Sequence, residues 1–295
     1  MRDRVIDISD EGAGLSVRNE QLVIRRGDVE TTVPLDDVAA LIVSHPAVHY
    51  TQAVLTGLCA RGGAMIVCDQ KRLPIGMVMP LVGHSTQTER FAAQREASVP
   101  LQKQLWKQVV RAKVMAQARL LKRLCGHDHG LARLARSIRS GDAGNIEAQA
   151  SRRYWPAVFG PSFRRDPMAE DHNKLLNYGY AVLRAMVTRA ICASGLHPSL
   201  GIHHHNRYDT FCLADDLMEP YRPLVDEIVL QLVRERGEAA PLDKDSKAAL
   251  IGGLAARRYE VEKEKRTLFD LLTGVTASLA DVYTEKRTRL VLPVL

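Results

Sequence analysis

The chain has 295 residues, 46% hydrophobic and 25% charged, a balance ordinary for a soluble globular protein with a substantial core, in one large domain or two. Its formal charge of +7 and pI near 9.2 favour a polyanionic partner, nucleic acid or an anionic membrane surface, over an acidic protein. No apolar run approaches the roughly 20 residues of a membrane span, and the start MRDRVIDISDEG lacks a secretory apolar region, so the expectation is a cytoplasmic protein with no membrane partner.

Residues 1–80 read as a small N-terminal β domain. RVIDIS, GLSVRN, EQLVIRR, ETTVPL and AALIVS are short β-branched segments separated by turn signals such as Asp10-Glu11-Gly12 and Arg26-Gly27-Asp28, predicting a compact sheet of hairpins. Residues 50–61 have helical spacing, GAMIVCD returns to a buried strand, Lys71 to Pro74 form a turn, and PIGMVMP is a last strand. Residues 81–100 are polar and read as a linker.

From 101 to 288 the pattern predicts an all-helical domain, so the fold class is α+β. LQKQLWKQVVRAKVMAQARLLKRLCG carries apolar residues at Leu101, Leu105, Val109, Ala112, Ala116 and Leu120 and stops at Gly126. Lys103, Lys107 and Arg111 follow at i, i+4 and i+8, and Lys113, Arg119, Lys122 and Arg123 extend a positive surface with few acidic partners. Such a face is either solvated or a DNA phosphate contact. Further helices are predicted at 170–195, 216–236, 244–256 and 260–288. The apolar tail 289–295 is expected to dock, at a place the sequence does not reveal. The five cysteines are scattered and odd in number, as expected of buried thiols in a reducing compartment.

The most informative stretch is GIHHHNRYDTFCLADDLMEPYRP, from Gly201 to Pro223. Asp216 and Glu219 are three residues apart and would share a helix face. An imidazole with one or two carboxylates makes an N/O set suited to Mn²⁺ or Mg²⁺. The structural alternative is a helix N-terminus whose dipole Asp215 and Asp216 complement.

Three segments then match one family in order and spacing: Gly144-Asn145-Ile146-Glu147-Ala148 leading to Tyr154-Trp155; Asn173 to Tyr180; and Gly201-Ile202-His203-His204 with Leu213 to Pro220. The chain resembles the CRISPR adaptation endonuclease and integrase family, in its type II form. The resemblance implies a metal-dependent enzyme that inserts short double-stranded DNA fragments into a CRISPR array by transesterification. Its ligands and catalytic residues would be Glu147, His204 and Glu219, with Mg²⁺ or Mn²⁺ as cofactor. The family ligand is the second histidine after Gly-Ile, here His204; the following position, usually basic, is His205. Asp216 would hold a metal-bound water or a second ion. The resemblance also implies a homodimer formed through the β domains, two such dimers being bridged by a small adaptation partner protein in a heterohexamer.

The chemistry fits such a site without a nucleophilic side chain. A divalent ion activates a DNA 3′-hydroxyl and neutralises charge at the phosphate, and no phosphate-binding loop is present. Asn173 and Asn177 read as core hydrogen-bonding residues, with support of the site as the second reading. Arg152 and Arg153 are candidate phosphate contacts, and Trp106 and Trp155 core anchors. His203 and His205 are donors to the ligand shell, phosphate contacts or plain surface. The competing functions are a stand-alone metal nuclease on branched or repair DNA and a non-catalytic architectural DNA-binding protein.

Overall fold

The structure is a computed structural model that describes residues 4–9, 11–70, 74–261, 264–292 and 294–295. The turn expected at Lys71 to Pro74 falls largely on residues outside that set. The N-terminal elements are β1 (Arg4–Ile8), β2 (Gly14–Arg18), β3 (Gln21–Arg26), β4 (Val29–Pro34), β5 (Val38–Val43), β6 (His49–Tyr50), α1 (Gln52–Ala60), β7 (Ala64–Cys68) and β8 (Pro74–Val78).

These strands form two sheets rather than one run of hairpins. The order β4-β3-β2-β6 does contain hairpins: Asn19 and Glu20, both at positive φ, turn β2 back onto β3. The other sheet, β1-β5-β7-β8, pairs β1, β5 and β7 in parallel, with α1 in the connection between β5 and β7. Parallel pairing explains the unbroken apolar run of β5, which is buried along its whole length. Leu41 and Val43 face a core with Leu15, Leu22, Val54 and Leu58, while Ala40 and Ile42 join the core of the helical part. The parallel sheet is thus a wall shared by both halves.

The helical part comprises α2 (Gln87–Arg95), α3 (Val99–Cys125), α4 (Leu131–Arg136), α5 (Ile146–Phe159), α6 (Asn173–Ala193), α7 (Cys212–Met218), α8 (Arg222–Arg236), α9 (Lys244–Ala255) and α10 (Leu268–Tyr283). Between the last two lies a hairpin of β9 (Arg258–Val261) and β10 (Glu264–Thr267). The fold is therefore a strand-rich N-terminal part followed by a mostly helical one.

Three expectations need correction. Residues 81–100 contain α2, whose Gln94 is buried, accepts from His197 N–H (2.8 Å) and donates to the carbonyls of His197 and Leu200 (both 2.9 Å). The helix expected at 216–236 is two, because a 3-10 turn at Glu219–Tyr221 separates α7 from α8 where Pro220 and Pro223 cannot donate to an α-helical ladder. The helix expected at 260–288 begins only at Leu268, where Thr267 and Asp270 cap one another's backbone N–H groups in a capping box.

The helix α3 is the axis of the helical part. Ser98 caps its start, Gly126 ends it in the left-handed conformation, and Leu105, Trp106, Val109, Val110, Val114 and Leu121 are buried along it. The C-terminal tail docks against α3 and α10: Leu290 N–H donates to Gln108 (3.1 Å), Val291 N–H to Ser278 (2.9 Å), and Arg119 to the Leu295 carbonyl (3.3 Å). The five thiols are all free, but only Cys212 is fully buried and Cys125 is exposed.

Candidate active site

Glu147 sits in the first turn of α5, where the helix N-terminus favours a carboxylate. Local sequence builds that start. Asp142, at positive φ, accepts from the N–H groups of Ile146 (2.9 Å) and Glu147 (3.0 Å), and Asn145 adopts the left-handed conformation its short amide tolerates.

The histidine loop is held from below by Asp216, which is completely buried in α7. Its carboxylate accepts from the backbone N–H groups of Ile202 (2.6 Å), His203 (2.9 Å) and His204 (3.3 Å), and lies 2.6 Å from His204 Nδ1. Gly201 permits this close turn, since a Cβ there would collide with the His204 carbonyl oxygen and lie 3.0 Å from Asp216 Oδ2. With Nδ1–H donated to Asp216, His204 Nε2 is the nitrogen left with a lone pair. The hydrogen bond to Asp216 raises the His204 pKa against the opposing effect of partial burial. His203 stacks on Trp106 at 4.3 Å between ring centroids, and burial lowers its pKa; the His204 ring meets the same indole edge-on.

Glu219 opens the 3-10 turn and is buried. Arg222 Nε lies 2.8 Å from its Oε1, and Lys113 Nζ contacts its Oε2. The same Lys113 Nζ donates to Glu147 Oε1 at 2.6 Å. Burial alone would raise the Glu219 pKa, but Lys113 and Arg222 outweigh it and hold the carboxyl low. Burial alone would lower the Lys113 pKa, but Glu219 and Glu147 outweigh it and push the pKa up. Lys113, expected on the positive surface of α3, is in fact a buried ion-pair partner.

Behind Glu219, Arg222 packs over the Tyr180 ring (4.6 Å), and the hydroxyls of Tyr180 and Tyr154 (2.6 Å) both donate to buried Asp226. Burial raises Asp226 to about 6 despite these donors. Asp215 is likewise raised to about 6 by burial, with Arg184 opposing.

The structure thus gathers Glu147, Glu219 and the His203–His204 loop around the middle of α3. Asp216 stands beneath the loop with its oxygens taken by loop donors, rather than facing outward. His205 is exposed. Asn173 is fully buried and bonds Arg165 (2.9 Å), Asp166 N–H (3.1 Å) and the Arg164 carbonyl (2.9 Å), the core hydrogen-bonding role. Lys103, Arg111 and Arg152 are exposed, while Lys107 is half-buried. The sequence places Lys113 among the surface charges of α3 and gives Arg222 no role. The available signal for Lys113 was a lysine four residues after Val109 and three before Ala116, adjoining the apolar stripe.

Among the described residues, no group of three or more His, Cys, Asp or Glu side chains closes around one metal position. The reason is visible in the contacts: the Lys113 ammonium stands between the two glutamates, and His204 Nδ1 is turned to Asp216. The donors still fit a divalent ion, because two carboxylates already converge on one cation beside an imidazole with a free nitrogen.

The profile of the family described as CRISPR associated protein Cas1 matches residues 6–248. The chain belongs to the Cas1 family. A relative named CRISPR-associated endonuclease Cas1, from Neisseria meningitidis serogroup C (strain 8013), is 36% identical over 291 residues, covering 96% of this chain and 93% of its own. Among solved structures, a casposase bound to integration product superposes with a TM-score of 0.79 at 18% identity, over 97% of this chain and 92% of its own. A chain of a Cas6-RT-Cas1–Cas2 complex superposes with a TM-score of 0.74 at 18% identity, over 97% of this chain and 35% of its own. These two likenesses show the Cas1 fold alone.

Proposed function

We propose that this Cas1-family chain is a metal-dependent DNA endonuclease and integrase that joins short duplex fragments to a CRISPR array by transesterification at the fragment 3′-hydroxyl. The observation that carries the reading is the convergence of Glu147 and Glu219 on one cation beside His204. The fold is shared with a casposase bound to integration product, in keeping with strand joining.

Glu147, Glu219 and His204 Nε2 would hold Mg²⁺ or Mn²⁺. The bound ion would supply Lewis-acid activation of an attacking oxygen and neutralise charge at the phosphate. The chain's own groups orient this set: Asp216 holds the His204 ring by Nδ1, and Arg222 holds one oxygen of Glu219. Lys103, Arg111 and Arg152 lie exposed where they can meet duplex phosphates. The partner reading is a homodimer through the N-terminal strands, with a small adaptation protein bridging two dimers. The Cas1–Cas2 composition of one structural neighbour supports such a partner.

The test is strand transfer of a 3′-hydroxyl duplex into a plasmid carrying a leader and repeat, with Mn²⁺ or Mg²⁺ and the partner protein. Joining that is lost in Glu147→Gln and Glu219→Gln is expected. Cleavage without joining would favour a stand-alone nuclease, and DNA binding without either reaction would favour the architectural alternative.

A further inference from the structure

Two carboxylates directed at one point repel each other unless a cation stands between them or one of them takes up a proton. Here that cation is the Lys113 ammonium, 2.6 Å from Glu147 Oε1 and also in contact with Glu219 Oε2, on a side chain only 10% exposed. We propose that Lys113 is a built-in competitor of the metal ion, which must displace its ammonium from Glu147 and Glu219 to bind, so that this one side chain sets the site's metal affinity. The proposal rests on the reading of Glu147 and Glu219 as ligands.

Charge balance favours displacement over coexistence. Two carboxylates now face two cations, Lys113 and Arg222, and a divalent ion added to both would place three cationic groups on two glutamates. Like charges sharing the same oxygens at contact distance in a poorly solvated site exclude one another.

Of the two cations, Lys113 is the one free to leave. Arg222 belongs to the first turn of α8, pairs ionically with the opposite oxygen of Glu219, and is stacked over Tyr180. Lys113 hangs on a flexible four-carbon stem and binds as a point charge, so rotation about its side-chain bonds withdraws it without moving α3. The ammonium also ties α5 and the 3-10 turn to α3 through these two ion pairs.

The experiment is calorimetric titration of the full chain with Mn²⁺, together with thermal unfolding with and without Mn²⁺, for wild type, Lys113→Met, Lys113→Gln and Glu147→Gln. Both lysine variants should unfold at lower temperature without metal, bind Mn²⁺ at least tenfold more tightly, and show a larger Mn²⁺-induced rise in Tm. Lys113→Gln keeps a donor for Glu147 and serves if the methionine variant does not fold. In wild type, the ¹⁵Nζ resonance of Lys113 should shift or exchange away as Mg²⁺ saturates. Equal or weaker Mn²⁺ binding by the lysine variants, or an unchanged Nζ resonance at saturating Mg²⁺, overturns the proposal; if Glu147→Gln has meanwhile lost binding, the ligand reading survives. Wild-type affinity in Glu147→Gln overturns that reading and the proposal with it.

Discussion

Replacing Asp216 by Asn tests how the histidine loop is built. The carboxylate receives four donors, from the N–H groups of Ile202, His203 and His204 and from the His204 ring. An asparagine that turns its oxygen toward Ile202 and His203 presents an NH₂ group to His204. The His204 N–H then faces a donor, and the ring can pair only by inverting its tautomer, with Nδ1 accepting and Nε2 protonated. Two bonds to a buried charge are lost, each worth about 1.5–3 kcal/mol. One is partly regained by the inverted ring, so the expected destabilisation is about 2–3 kcal/mol in urea unfolding at pH 7. A ring protonated at Nε2 cannot ligate, so Mn²⁺ affinity should fall about 10–100-fold, the usual cost of losing such an orienting group. Calorimetric titration of the folded variant reads this separately from stability. Unchanged Mn²⁺ affinity in a variant that has lost stability would refute the claim that Asp216 orients His204 for a metal.

Lys103→Ala with Arg111→Ala should lower the slope of log affinity against log salt by about 2, measured by fluorescence anisotropy on duplex DNA, with Mn²⁺ binding unchanged; an unchanged slope removes these residues from the DNA surface. Asp226→Asn tests a pH dependence. Burial raises the folded pKa of Asp226 to about 6 from an ordinary 3.8, so wild type loses stability as pH rises between those values, by about 3 kcal/mol in all. The variant lacks that loss, and its stability relative to wild type should improve by about that amount between pH 4 and pH 7.5; a constant difference in urea unfolding would contradict it. Leu290→Ala should cost about 2 kcal/mol or more, because the tail residue is 9% exposed in the helical core. A cost under about 0.5 kcal/mol would show that the tail is not docked in solution.

What the sequence reveals of this molecule divides along the range of the interactions. The long helices α3 and α6 were legible because their periodicity is local, and in α3 Gly126 also marks the end. The parallel pairing of β1, β5 and β7 was not, since strands distant in the chain leave only an apolar run, which a hairpin strand shares. The β9–β10 hairpin was hidden in a charged segment that reads equally as a solvated helix face. In the site, Glu147, His204 and Glu219 were located by resemblance, and spacing alone left them open to a purely structural role. Asp216 came from its spacing with Glu219, but its burial beneath the loop depends on donors 12 to 14 residues away. Lys113 shows the limit most clearly: on a helix rich in Lys and Arg, only the tertiary approach of α5 and the Glu219 turn separates a buried ammonium from a surface charge.

The most direct test of the central claim is the anomalous scattering of Mn²⁺ in crystals of the full chain soaked with the ion. One peak within about 2.3 Å of Glu147, Glu219 and His204 Nε2 is the expected result. A peak bound through His205 without His204, or no peak near Glu147 and Glu219 at saturating Mn²⁺, would contradict the account.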